Sequence, residues 1–362
     1  MSTDLLKTPL AARHEALGAK MVPFAGWHMP VSFSGIQQEH HLVRQKVGLF
    51  DASHMGLVHV TGKDSVEYLQ KVAVNDATKL IDGMSHYSAI CKEDGTCIDD
   101  IYTVRVAIDD WYIVVNAGTK NKDMEWLQSQ LIGDVKIELL STGLLSLQGP
   151  KAVQIMQAQW GIVPFALPKN GVCFVEYNGE KVLVTRTGYT GEDGFELFPS
   201  NSHLLEIHDL LLRVGAPMGI QSCGLGCRDT LRLESGFSLY GHELNESIDL
   251  VSAGLSWIVG WDKPSFIGKE ALLAIRHAGA SKKIVGLLAI DKAIPREGMK
   301  IENEGVEIGY ITSGGMSPIL NSGIALAYLN KDHATLGSIV HVRVRDQLKA
   351  FRVQTRRFVG GK

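Results

Sequence analysis

The sequence predicts an α+β protein that closes with an all-β domain, and three observations carry this. Helical periodicity is clear in only three stretches, and short β-branched runs fill much of the chain between and beyond them. Strands and helices do not alternate in regular βαβ order, which argues against a doubly wound parallel sheet. Beyond Lys283 helical periodicity almost vanishes. The helices are predicted at Asp64–Val72, where Val66, Leu69 and Val72 recur every third residue, and at Lys122–Leu131, through Met124, Leu127 and Leu131. The third is Ser202–Val214, with Leu204, Ile207, Leu211 and Val214 aligned and Gly215 as its stop. Strands are predicted at Leu57–Val60, Trp111–Val115, Lys136–Leu140, Lys181–Thr185, Ile284–Ile290 and His341–Arg345. In the last, Val342 and Val344 alternate with Arg343 and Arg345, as in a half-exposed antiparallel strand. The polar, small-residue stretch Ala278–Lys283 leads into the C-terminal domain.

Composition narrows the function classes. At about 150 residues per domain, 362 residues fit two or three domains. A hydrophobic share of 45% supplies a sizeable core, and 36 basic against 39 acidic residues leave no dominant sign. Nucleic-acid binders carry a basic balance, so that class is not expected. No apolar run reaches the ~18 residues of a membrane span. The N-terminus has no apolar stretch of the signal-peptide kind. Five cysteines, odd in number and without a CxxC pair, argue against a disulfide framework or structural zinc and for a cytoplasmic setting.

Common motifs are missing. Gly268-Lys269 is followed by Glu270, not Ser or Thr, and Gly224-Leu-Gly-Cys-Arg-Asp229 only begins like a dinucleotide fingerprint. Glu39, His40, His41, Asp51 and His54 match no metal-ligand spacing. Cys223 and Cys227 read as small buried residues.

Five segments instead cluster glycine, aromatic and charged residues. They are Asp51–Gly56, Gly95–Asp100, Arg186–Glu196, Gly224–Glu234 and Thr312–Leu320. Asp99 and Asp100 precede Ile101-Tyr-Thr-Val104, so the run reads as a strand with the two carboxylates on opposite faces. They therefore form no dyad, and at most one serves a given pocket. In Arg186–Glu196, Gly191 and Gly194 suit turns with positive φ. The loop could set Tyr189 against a flat ring and leave Glu196 to accept two hydrogen bonds from an amidine-like edge. A hairpin with a structural tyrosine is the alternative. Arg228 is placed to meet a carboxylate, or else joins local ion pairs on an amphipathic element.

Together these segments resemble the aminomethyltransferase, or T-protein, family of the glycine cleavage system. The resemblance runs nearly end to end. It also takes in Lys20–Pro30, with Val22-Pro-Phe-Ala-Gly-Trp27, and Phe266-Ile-Gly-Lys-Glu-Ala-Leu272. It implies a three-domain cloverleaf around a central folate pocket, built from two discontinuous antiparallel α+β domains and a jelly-roll or barrel-like third. The implied boundaries are 1–58 plus 141–245, 59–140 plus 246–280, and 281–362. The implied reaction moves the methylene carbon of aminomethyl-lipoyl H protein to tetrahydrofolate. Its products are 5,10-methylenetetrahydrofolate, ammonia and dihydrolipoyl H protein. By the same resemblance Asp100 is the catalytic carboxylate, Glu196 binds the pterin edge and Arg228 joins the substrate site. Tyr189, Tyr87, Met55 and Asn116 line the pocket, with Tyr240 and Trp257 as further neighbours. Tetrahydrofolate is the acceptor, lipoylated H protein the partner, and no metal, flavin, nucleotide, nucleic acid or membrane is expected. Cys97, Cys227 and Phe237 depart from the family's usual residues. A folate-dependent demethylase and a non-catalytic folate-binding protein share the fold and are the alternatives.

Overall fold

The computed structural model describes residues 5–162 and 167–359. It is a mixed α+β structure with several sheets, as the sequence predicts. The chain divides into two compact units. One runs to Val72 and adds Asp76–Ser88 and Ile101–Arg228. The other holds Ala73–Asn75, Ala89–Asp100 and the described chain from Asp229.

At the centre of the first unit is a six-stranded sheet in the order Val172–Tyr177, Glu180–Thr185, Gly194–Phe198, Leu145–Gln148, Gly48–Asp51, Gln221–Cys223. All its pairings are antiparallel except the last. Strand alternation gives the sheet two unlike faces. Val184, Leu197, Leu145, Leu147 and Leu49 join Ile155, Met156, Ile207 and Leu211, from the helices Ala152–Trp160 and Leu204–Gly215, in one apolar core. On the other face a crosswise register row puts Thr185, Glu196, Ser146 and Phe50 side by side. That face carries polar groups in this row and apolar ones, Leu183 and Phe198, in the row two residues on.

A second sheet is ordered Met84–Cys91, Cys97–Ala107, Asp110–Val115, Gly56–Thr61, Lys136–Leu139. Within the first unit Leu57 and Val104 pack with Ala52, Leu144, Leu183 and Phe198. A short sheet pairs Trp27–Ser32 with Leu6–Lys7 and Lys20–Phe24. In the second unit six strands close a barrel in the order Lys282–Ala289, Ser322–Asn330, Val306–Ser317, Lys300–Asn303, Ile339–Val344, Gln347–Gln354. Val285, Leu287, Ile301, Ile311, Val342 and Phe351 are among the side chains filling it. Among the described residues no helix is long and apolar enough to cross a membrane.

The predicted strands form within one or two residues of their expected ends, and the first two helices fall at Ser65–Val72 and Lys120–Ser129. Two glycine expectations need correction. The α-helix does end at Gly215, but that glycine keeps right-handed backbone and leads into a 3-10 turn at Ala216–Met218 instead of capping the helix. The left-handed residue is Gly219, at φ 77°. Gly191 takes the expected positive φ, 82°, but Gly194 does not and lies within a strand. It is a glycine for space, since a Cβ there would sit 2.4 Å from Gln148 Nε2 and 2.5 Å from the Leu147 carbonyl oxygen.

Candidate active site

Three of the expected residues are linked here: Glu196 on the six-stranded sheet, Tyr189 on the loop before it and Arg228 on a helix. Glu196 is half-buried mid-strand, and its Oε2 accepts a 2.6 Å hydrogen bond from the Thr187 hydroxyl. Thr187 is steadied in turn by Thr185, oxygen to oxygen at 2.5 Å. Among the described residues Oε1 of Glu196 has no hydrogen-bond partner, so one carboxylate edge stays open. Arg228, in the first turn of the helix Leu225–Ser235, lays its guanidinium over the Tyr189 ring at 4.8 Å. Burial pulls its pKa down, while Glu196 and Tyr189 act through space in the opposite sense. Its Nη1 is buried without a hydrogen-bond partner among the described residues. A buried unpaired guanidinium nitrogen costs more than a neutral donor, so a ligand acceptor that reached it would be strongly held. Ser146, directly opposite Glu196 across the sheet, is fully buried and its hydroxyl is likewise unpartnered among the described residues.

The loop that presents Tyr189 is tied down on both sides. Arg186 pairs with Asp193 through two nitrogen–oxygen contacts, at 3.0 and 2.5 Å. Arg44 donates to the Thr190 carbonyl at 2.7 Å and to Glu192 at 3.0 Å. The Tyr102 phenol donates to Asn170 at 2.8 Å. Burial, with Glu196 behind it, pushes that phenol's pKa upward. Tyr87 stands 6.2 Å from the Tyr102 ring. Met55 is half-buried against the cluster of Ala52, Leu57 and Leu144. Asn116 is half-buried past the end of Asp110–Val115, its carbonyl accepting from the Thr119 amide.

Sequence reasoning passed over the charges around His54. This imidazole is buried, stands edge-on to Phe24 at 5.7 Å, and has an unpartnered Nδ1 among the described residues. Burial lowers its pKa to about 4; Asp51 opposes the shift, and Arg228 and Lys120 add to it. Lys120 donates to the His54 carbonyl and lies 5.1 Å from the Trp27 ring centroid. Part of the signal was present, in that His54 sits in a segment noted for its composition and Trp27 in one that carries the family resemblance. What was missing was the contact between them through Lys120. Nearby Asp51 is also buried, accepting from Thr8 at 2.7 Å and the Ser53 amide at 2.9 Å, with His14 Nε2 2.9 Å away.

The remaining expected residues lie in the second unit. Asp99 is fully buried and Asp100 half-buried, so the strand does split the pair between its faces. Tyr240 is half-buried and bridges to Leu244, and Trp257 is 69% exposed on the turn Ser256–Ile258.

Among the described residues, one group has the spacing to hold a metal: Glu39, Cys223 and Cys227, all buried. The carboxylate is already committed. It accepts backbone amides from Phe33, Ser34 and Gly35 on one oxygen and from Gly224 on the other. Burial also raises the Cys227 thiol far above its usual range, which disfavours a thiolate ligand. The cluster reads as a structural tie.

Residues 10–263 match the family described as the GCVT N-terminal domain, and residues 282–359 match the glycine cleavage T-protein C-terminal barrel domain. The chain belongs to the glycine cleavage T-protein family. Among relatives, an aminomethyltransferase of Bacillus pumilus is 43% identical, the match covering 97% of this chain and 98% of that one. Another, from Halalkalibacterium halodurans, is also 43% identical, with 95% of each chain covered. The crystal structure of the glycine cleavage system aminomethyltransferase T from Bartonella henselae superposes with a TM-score of 0.94. It is 33% identical and covers 99% of both chains. The T-protein match takes in every residue of the Glu196–Arg228–Tyr189 group and all of the closed barrel up to Gln354.

Proposed function

We propose that this chain is the aminomethyltransferase of the glycine cleavage system, with tetrahydrofolate as acceptor and the lipoyl arm of H protein as donor. One observation carries the reading. In a chain matched end to end by T-protein relatives, an open carboxylate on the sheet acts through space on a guanidinium that has an unpaired nitrogen and lies over an aromatic ring. A pterin has the complementary parts: an amidine-like edge for Glu196 Oε1 and a flat ring for the aromatic side of the site. Arg228 would reach an acceptor oxygen of the same ligand. Tyr87, Met55 and Asn116 are assigned to the pocket lining. Tyr240 and the exposed Trp257 are assigned no step.

In the reaction the methylene carbon gives up its bond to sulfur and its bond to nitrogen. Two new C–N bonds join it to folate N5 and N10, whose two protons end on the departing sulfur and on ammonia. Holding N5 and N10 beside that carbon supplies much of the rate through orientation. We assign Asp100 to the chemistry, where its carboxylate stabilises the developing iminium and takes part in proton movement. A three-domain division at 1–58 plus 141–245, 59–140 plus 246–280, and 281–362 belongs to the same proposal. So does a cytoplasmic location, which five free thiols favour.

The test mixes the protein with aminomethyl-loaded H protein and tetrahydrofolate and follows ammonia and methylenetetrahydrofolate together. Equimolar, folate-dependent formation of both is expected. Folate binding without turnover would point instead to a demethylase donor or a non-catalytic binder. Asp100→Asn is expected to keep tetrahydrofolate affinity and lose most turnover; wild-type turnover in that variant would remove the aspartate from the chemistry.

A further inference from the structure

We propose that Gln148 is the positioning residue of the site, a buried amide that holds both Tyr189 and the Thr187–Glu196 pair in their ligand-facing places. The proposal rests on the folate reading above. Gln148 ends the strand Leu145–Gln148, is fully buried, and shares a face of the sheet with Ser146 and Glu196. Its Nε2 donates to the Thr187 carbonyl at 3.0 Å, and its Oε1 accepts from the Thr190 hydroxyl at 2.8 Å. A carbonyl oxygen can only accept, so the Thr187 contact fixes which way the amide points. The two anchor residues flank Gly188-Tyr189, so one side chain grips the loop on both sides of its aromatic residue.

The space around the amide is cut to fit it. Its cross-strand neighbour is Gly194, and a Cβ there would stand 2.4 Å from Nε2. A Cβ on Gly188 would stand 2.0 Å from Oε1. Neither glycine has a positive φ, so the tight approach of the amide, and not backbone conformation, accounts for both. Thr187 carries the grip onward, because its carbonyl meets Gln148 while its hydroxyl donates to Glu196. Loss of the amide therefore loosens Tyr189 and the donor on Glu196 together, while Arg44, Arg186 and Thr185 keep their own ties to the loop, and Gln148 itself need not touch the ligand.

The experiment compares full-length wild type, Gln148→Met, Thr190→Val and Thr190→Ser by two readouts. Hydrogen exchange of the 187–190 amides, without ligand, reads the grip. Steady-state kinetics and titration calorimetry with tetrahydrofolate read its consequence. Gln148→Met should exchange faster across the loop and raise KM and Kd for tetrahydrofolate by about tenfold or more, the loss of one to two hydrogen bonds. The change in kcat should be smaller. Thr190→Val should move the same way and less far, and Thr190→Ser, which keeps the hydroxyl, should restore wild-type values. Unchanged loop exchange in folded Gln148→Met, or a loosened loop with wild-type folate affinity, would overturn the proposal. If Gln148→Met does not fold, Thr190→Val against Thr190→Ser decides by the same criteria. Failure of the folate reading shows separately, as absence of tetrahydrofolate binding to the wild-type chain.

Discussion

Arg228 and Arg232 stand about one helical turn apart on the same helix, and their surroundings treat them in opposite ways. Arg232 is 2% exposed and every guanidinium nitrogen is engaged. Nε meets Asp229 at 2.8 Å, Nη1 meets Glu243 at 3.0 Å and the Phe237 carbonyl at 3.1 Å, and Nη2 donates to Ser313 at 2.8 Å. Glu243 is closed as thoroughly, accepting the Thr312 hydroxyl at 2.5 Å and the Leu239 amide at 3.0 Å. Arg228 has an aromatic face beneath it and a buried nitrogen without a partner among the described residues. A buried ion pair with all its hydrogen bonds made serves the fold, whereas a charge held open at a site serves a ligand. One helix carries both arrangements.

The widest gap between the two should appear in stability. Arg232→Met leaves Glu243 buried without its cation and is expected to cost about 3–5 kcal/mol. Urea denaturation followed by circular dichroism measures this, and a loss under 1 kcal/mol would mean that the network is not what secures this region. Acid sharpens the comparison from the other side. His54, buried beside the charge of Arg228, has its folded pKa lowered from 6.5 to about 4. The unfolded chain therefore binds the extra proton first, so this stability is present above pH 6.5 and lost as pH falls toward 4. The loss is roughly 3 kcal/mol over that window. His54→Asn should flatten the pH profile of the midpoint between pH 4 and 6.5, and an unchanged slope would contradict the assignment. Smaller in free energy is Glu196→Ala. It removes an acceptor at the open edge and should weaken tetrahydrofolate binding by roughly 1.5–3 kcal/mol, with little change in melting temperature. Titration calorimetry with unchanged affinity would take Glu196 out of the ligand's reach.

Much of this molecule is legible in its amino-acid order alone. Alternation separates Asp99 from Asp100, because period two is a property of the strand itself, and the helix-free character beyond Lys283 points to the barrel. The helices Ile36–Gln45 and Lys269–Ala278 are as amphipathic as Ser65–Val72 and lay within reach of a periodicity reading, whereas Ala152–Trp160 is only weakly amphipathic. Ile36–Gln45 is largely polar with two adjacent histidines, and it is anchored through Glu39 to four backbone amides, which no linear pattern reveals. At the site the chemistry-bearing types, Glu196, Arg228 and Tyr189, stand out in composition. Their supports do not. Gln148, Ser146 and Thr187 are ordinary residues whose roles arise from cross-strand register and from glycines placed opposite. Gly194 shows the limit most clearly, since its local sequence suggests a turn and its actual reason is a side chain on the neighbouring strand.

The most direct measurement is titration calorimetry of tetrahydrofolate into Arg228→Met beside wild type, with melting temperature recorded on the same samples. An arginine held open for a ligand predicts a melting temperature within a few degrees of wild type, and an affinity lower by about ten- to a hundredfold, the loss of a charge-assisted contact. Wild-type affinity accompanied by a marked fall in melting temperature would make Arg228 a structural residue like Arg232 and would contradict the account.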